Sequence, residues 1–439
     1  MPEKFIIKGG KSLNGEVNIN GAKNAAFPIL AATLLTNNDC IIDNLPLIED
    51  VSKMLKILES LGAEISYLSK RKVKINCQNI NPEKIPFDIV SNFRGSILIL
   101  GPLLARFGKI KIISPGGCLI GARPLDTHFD SFKQLGFKIS SKGSFYYFEK
   151  GPDFLKTDNY FSIPDKEVKE GKKIEIVLKE FSVTATENIL LFASLFSQKF
   201  ILKIADEDYQ TQDLIKVLKK MGVKIRRIEA HSFEIVGKKK LNGFTHKIIS
   251  DPIETGTFIV AALATKGEVL IKDAEIAFLS LFLKKLRDFG ANFKVLNKNT
   301  IKIFPSKLLK MDKIQSLPYP GIHSDLQPEL GVLSTQSKGP TLIHDPLYEG
   351  RLKYLEELNK MGADIIFCDP HRAIINGPTP LYGMEIPSLD LRAGAALIIA
   401  GLVAKGETII NNIYQVDRGY EKIEERLESL GADIKRIKD

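Results

Sequence analysis

The hydrophobic and polar positions of the chain fall into one pattern that returns six times. In each copy an amphipathic helix ends in Leu, Met or Phe followed by Gly, and the chain then passes into a strand. The steps are Leu61-Gly62, Leu135-Gly136, Met221-Gly222, Phe289-Gly290, Met361-Gly362 and Leu430-Gly431. Glycine just past a helix predicts a left-handed C-cap. An earlier helix in each copy is Ala- and Leu-rich and ends before a strand. Ala261–Thr265 before Gly267–Ile271 and Ala395–Ala404 before Gly406–Ile410 are examples. That helix lacks a polar face, which predicts burial. The second helix, such as Val51–Leu61, is charged on one side and is expected to cover the outside.

Each unit therefore reads strand, apolar helix, strand, amphipathic helix, strand. The expected class is α/β, with six repeat units, three in each of two lobes, and buried helices behind sheets that face solvent. A cleft is expected between the lobes. The chain is expected to cross between them at about 20–24 and 247–251. One lobe then holds residues 1–22 and 249–439 with both termini, and the other holds 23–248. The first strand, Phe5–Ile7, belongs with the last unit. The polar, lysine-rich stretch Lys156–Lys173 is expected to be a surface excursion.

Composition narrows this picture only in places. The net charge is +10, which favours anionic partners. The excess is scattered lysine without a basic stripe or interleaved aromatics, so nucleic acid is not expected as a partner. Arginine is the minority cation, and Arg94, Arg123, Arg351, Arg392 and Arg418 stand out in apolar or Gly-containing settings. The apolar runs are too short to span a bilayer, and no signal-peptide pattern opens the chain, so a cytoplasmic protein is expected. Four cysteines without close pairs argue against a disulfide framework or a metal site. No phosphate loop of the G-x-x-x-x-G-K-[ST] type is present, so ATP use is not indicated.

The stretch richest in chemistry is Pro115 to His128, with three glycines, Cys118, Arg123, Asp126 and His128. A thiol on such a loop can be poised as a proton donor, and an arginine fork matches phosphate oxygens. The same stretch also suits a surface loop with an incidental cysteine. Gly21-Ala22-Lys23-Asn24 opens the first apolar helix, where a helix N-terminus already favours phosphate. Asn92-Phe93-Arg94-Gly95-Ser96 repeats a cation before an apolar helix. Ser324-Asp325-Leu326-Gln327 puts a carboxylate at the corresponding place, as a helix cap or a general base. Asp417-Arg418-Gly419-Tyr420 is expected to open the last amphipathic helix, with a capping aspartate and a solvated arginine as its plainer meaning.

With these residues in place, the chain resembles the enolpyruvyl transferases, most closely those that act on a UDP-sugar. The resemblance runs from Phe5 to Ile437. It rests on Gly21–Ala26, Gly116–His128, Ile253–Thr257, Ser324–Gln327 and Asp417–Glu421. It implies an inside-out α/β barrel fold. It also implies transfer of the enolpyruvyl group of phosphoenolpyruvate to the 3-hydroxyl of UDP-N-acetylglucosamine by addition and elimination, releasing phosphate, in peptidoglycan synthesis. The resemblance casts Cys118 as loop thiol and general acid. It casts Lys23, Asn24, Arg123 and Arg418 as contacts to phosphoenolpyruvate, and Asp325 as the base for the sugar hydroxyl. Arg94, Arg123, Pro124, Leu125, Asp126, Thr127, Ser182, Val183, Asp325 and Leu347 are then contacts to the UDP-sugar. No cofactor or metal is implied, and a monomer is expected. Alkylation of Cys118 by fosfomycin follows from the same resemblance. Pro252, Thr184 and Glu180 depart from the family pattern, where arginine, glycine and, in some relatives, a cation stand. The sister enzyme that uses shikimate 3-phosphate is the nearest alternative, followed by a repeat scaffold or a regulatory binder of the sugar.

Overall fold

The computed structural model describes residues 3–116, 121, 124–156 and 173–438. The class is mixed α/β. The chain falls into two compact units, one of residues 3–22, 121 and 250–438, the other of residues 23–116, 124–156 and 173–249. Most of the excursion expected at Lys156–Lys173 lies outside the described residues.

Each unit has three sheets among the described residues. Five of the six sheets share one order. A short strand lies parallel to the strand that follows an apolar helix, and an antiparallel pair continues the sheet, a hairpin in four of the five. A parallel pair needs a crossover, which a helix supplies. The helices Val183–Ala193, Gln327–Thr335 and Leu391–Val403 do so for three of the sheets. In the other two the partners are exchanged where the chain passes from unit to unit. Asn14–Asn18 pairs with Glu268–Lys272, and Thr245–Lys247 pairs with Cys40–Asp43. The sixth sheet has three strands, Lys109–Ile113, Phe145–Lys150 and Phe137–Lys142.

The apolar helices form the cores. All thirteen residues of Pro252–Ala264 are buried, and this helix packs with Gln327–Thr335 and Leu391–Val403 in its unit. In the other unit Lys23–Ala32, Leu100–Phe107 and Val183–Ala193 play that part. The outer strands of the hairpins, such as Glu64–Ser69 and Lys224–Glu229, are largely exposed, so each sheet has a wet side. All six glycines after the amphipathic helices have positive φ, from 85° at Gly136 to 106° at Gly62. Only a residue without Cβ takes that conformation at low cost.

The N-terminal strand Glu3–Lys8 does not lie at an edge. It sits between Glu407–Asn411 and Asp433–Lys438, antiparallel to both, and Arg436 ties it down by pairing with Glu3, Asp417 and Glu424.

Candidate active site

In the unit of residues 23–249, the chain emerges from an isolated bridge between Gly21 and Ser250 and at once begins the helix Lys23–Ala32. Lys23 is therefore the first helical residue. Its side chain is buried, and Nζ lies 2.9 Å from Asp50 Oδ2 in the first turn of the helix Glu49–Leu61. A cation taken this far out of water needs such a partner. Asn24 beside it is half-buried.

Arg94 opens a 3-10 turn, Arg94–Ile99, that runs into Leu100–Phe107. Its Nη2 donates to the Pro124 carbonyl at 3.0 Å, which joins two of the residues singled out by sequence. Pro124 and Asp126 are exposed, and Leu125 and Thr127 are buried. Thr127 donates to Glu180 Oε1 at 2.9 Å, so the carboxylate at that departure has a structural partner. Next in the chain, His128 is buried between Thr184 Oγ1 at 3.0 Å and Asn188 Nδ2 at 3.3 Å. The Asn188 amide donates to Nδ1, which leaves Nε2 to carry the proton toward Thr184. Burial, aided by Arg94, pushes His128 down to about 3, so it stays neutral at pH 7. Thr184 is thus part of a joint between the helices Asp126–Gln134 and Val183–Ala193. Behind it Phe132 and Phe192 meet edge to face at 5.7 Å. Ser182 caps the second helix by accepting from Ala185 N at 3.4 Å, and Val183 begins it.

In the unit of residues 3–22 and 250–438, Asp325 is the focus. It is not a helix cap: His323 takes that role by accepting the Asp325 amide at 3.0 Å. Instead its carboxylate lies between two guanidinium groups, Arg351 Nη2 at 2.9 Å and Arg392 Nε at 3.1 Å. Burial works against its charge, but Arg392, His323 and Arg351 outweigh burial and hold the carboxyl well below the usual range. It is ionised at any pH near neutrality. Arg351 also donates to Ser324 Oγ, which donates to Asp345 Oδ2 at 2.6 Å. The other Asp345 oxygen accepts the amide of Leu347 at 3.0 Å, so Leu347 and Asp325 belong to one network, with the Leu347 side chain exposed.

Arg418 is buried, not solvated, and donates to Gln415 Oε1 at 3.0 Å. Asp417 ends the short helix Tyr414–Asp417 and pairs with Arg436, so the expectation that it opens and caps the last helix is corrected. The final helix, Ile423–Ser429, begins six residues later. Pro252 follows the cap Asp251 and takes the first helical position, where no amide hydrogen is needed. A cation does stand near this helix start: Arg426 pairs with Glu254 and donates to the Asn18 carbonyl at 2.6 Å.

Cys118 and Arg123 lie outside the described residues. Of the other cysteines, burial pushes Cys40 up to about 12 and Cys77 up to about 11, so neither is a thiolate at neutral pH, and Cys368 is exposed. Among the described residues no cluster of side chains could hold a metal ion, and no helix is long and apolar enough to cross a membrane. The residues that sequence reasoning missed are partners. Asp50 looks like an ordinary acidic first turn, and Arg351 and Arg392 were notable only for their setting.

Comparison with known proteins agrees along the whole chain. The family model described as EPSP synthase (3-phosphoshikimate 1-carboxyvinyltransferase) matches residues 7–427. A protein of Finegoldia magna named UDP-N-acetylglucosamine 1-carboxyvinyltransferase is 39% identical over 436 residues, with 99% of each chain covered. One of the same name from Treponema denticola is 40% identical, with 98% of each covered. Among solved structures, the enolpyruvyl transferase NikO of Streptomyces tendae shares the fold at a TM-score of 0.86 and 23% identity, covering 99% of both chains. EPSP synthase of Acinetobacter baumannii does so at 0.75 and 19%, covering all of both chains. The fold and the full-length relatives together make this chain a member of the EPSP synthase family of enolpyruvyl transferases.

Proposed function

We propose that the chain transfers the enolpyruvyl group of phosphoenolpyruvate to the 3-hydroxyl of UDP-N-acetylglucosamine and releases phosphate, a step of peptidoglycan synthesis. The observation that carries this is agreement at 37–40% identity, over nearly the full length of both chains, with relatives that share the name UDP-N-acetylglucosamine 1-carboxyvinyltransferase. The reaction occurs without a cofactor, in a monomer, in the cytoplasm. The finer architecture is an inside-out barrel of six repeats, three per unit, for which the common strand order of five sheets speaks.

The roles follow from charge. Lys23, Arg123 and Arg418, with Asn24, take the phosphate and carboxylate of phosphoenolpyruvate. Asp325 takes the proton of the sugar hydroxyl as that oxygen attacks C2, and Cys118 supplies a proton to the methylene carbon. Loss of a proton and of phosphate from the tetrahedral adduct restores the double bond. Fixed cations stabilise the leaving phosphate without reorganising at the moment of reaction. Arg94, Arg123, Pro124, Leu125, Asp126, Thr127, Ser182, Val183 and Leu347 contact the UDP-sugar. The hydrogen bond from Arg94 to Pro124 supports a shared task for those two.

Phosphate release from phosphoenolpyruvate, with UDP-N-acetylglucosamine and separately with shikimate 3-phosphate, tests the assignment. Turnover with the UDP-sugar alone is expected. Turnover with shikimate 3-phosphate would move the chain to the activity in the family model's description, and turnover with neither would leave a binding protein. Fosfomycin is expected to add one equivalent to Cys118 in the presence of the UDP-sugar, read by peptide mass.

A further inference from the structure

One helical turn beyond Asp325 stands a second carboxyl, Glu329, fully buried. Its Oε1 is contacted by Thr257 Oγ1 at 3.0 Å and by the Tyr420 hydroxyl at 3.2 Å, and those two hydroxyls lie 2.8 Å apart. Thr257 also reaches the Ile253 carbonyl at 3.1 Å. Four contacts converge where two hydroxyls supply two hydrogens, so a hydrogen on Glu329 completes a third. Glu329 Oε2 is buried with no hydrogen-bond partner among the described residues, a place that suits a neutral acid better than a carboxylate.

Arg392 connects this cluster to Asp325. Its Nε donates to Asp325, while its guanidinium lies 5.2 Å above the Tyr420 ring. Two carboxyls one turn apart thus face one cation. We propose that Glu329 is a positioning residue for Asp325: through Tyr420 it sets how tightly Arg392 holds the Asp325 carboxylate, and its ionisation releases Asp325 to accept a proton. The proposal rests on the assignment of Asp325 as the base. It answers a chemical difficulty, because a carboxylate clasped by two guanidinium groups is a weak base until one of them loosens.

The charged and titratable groups facing Glu329 are Arg392 from the helix Leu391–Val403, Tyr420, Tyr354 from the helix Tyr354–Lys360, and Asp325 on its own segment. Burial pushes Glu329 up to about 7, against the pull of Arg392, so the switch falls in the neutral range.

The test is phosphate release by the full chain, at saturating substrates, across pH 6 to 8, for wild type, Glu329→Gln, Tyr420→Phe and Asp325→Asn. Wild-type kcat is expected to rise several-fold with pH, to roughly tenfold at most. Glu329→Gln flattens that rise with KM values within about twofold. Tyr420→Phe moves its midpoint and keeps the helix intact. A wild-type profile in Glu329→Gln overturns the inference while leaving Asp325 as base, provided Asp325→Asn is inactive. Should Glu329→Gln not fold, an unmoved midpoint in Tyr420→Phe overturns it equally. Full turnover in Asp325→Asn removes both the inference and the assignment beneath it.

Discussion

Lys23 is buried and Asp325 partly buried, and each has an opposite charge within hydrogen-bond distance. The partners differ in consequence. Asp50 is buried with Lys23, so Asp50→Ala leaves a cation stranded, at a cost on the order of 3 kcal/mol, measurable by urea unfolding. On the proposed role of Lys23 in holding phosphate, Lys23→Ala is expected to lower turnover by about 10²–10³, read as phosphate release. Near-full turnover in that variant and in Arg123→Ala would remove both from the site. Glu329 makes a prediction of opposite sign to an ordinary ion-paired acid. Its pKa is raised from 4.5 to about 7, so its contribution to stability is fully present below 4.5 and is lost as pH rises through about 7. Glu329→Gln should remove that decline when denaturation is followed between those pH values. Asp325 could be singled out in the sequence because its setting, at the start of an apolar helix, recurs. Glu329 could not, because an acid in the first turn of a helix is usual, and only the packing of three helices buries it. Asp50 was hidden for the same reason: a buried ion pair joins residues far apart in the chain.

At the scale of elements, the six glycine steps were legible because a helix end and its cap are local. They also separate two costs. Gly290 has φ 95° and open space where a Cβ would go, so Gly290→Ala costs about 1 kcal/mol of backbone strain alone. Gly62 has φ 106°, and a Cβ there would stand 2.4 Å from the Asn79 carbonyl oxygen. Gly62→Ala should therefore destabilise by clearly more than Gly290→Ala, and equal unfolding midpoints would refute the distinction. The apolar helices were equally legible from their missing polar face. The end of the chain was not. Asp417-Arg418-Gly419 has the composition of a helix start, yet Asp417 is drawn to Arg436 on the final strand and the helix begins later. Tertiary charge pairing overrode a local capping preference there.

Over the whole molecule, the recurring helix ends can be read from spacing, but the exchange of parallel strands cannot. Asn14–Asn18 and Glu268–Lys272 are far apart in sequence, and nothing in either strand names its partner. The sheet that holds Glu3–Lys8 offers a test at this scale. Deleting residues 2–8 removes an interior strand and two ladders together. Limited proteolysis should then cut residues 250–438 more readily than in the parent chain, and an unchanged pattern there would contradict the placement.

The order of synthesis follows from that same strand. Glu3–Lys8 leaves the ribosome long before its two partners, Glu407–Asn411 and Asp433–Lys438. At ordinary elongation rates of about 5–20 residues per second the strand waits tens of seconds with both edges bare. In the other unit, by contrast, the sheets among the described residues draw their strands only from between Cys40 and Lys247, Thr245–Lys247 included. That half can close during translation, while Glu3–Lys8 stays a client for chaperones until Asp433–Lys438 has emerged.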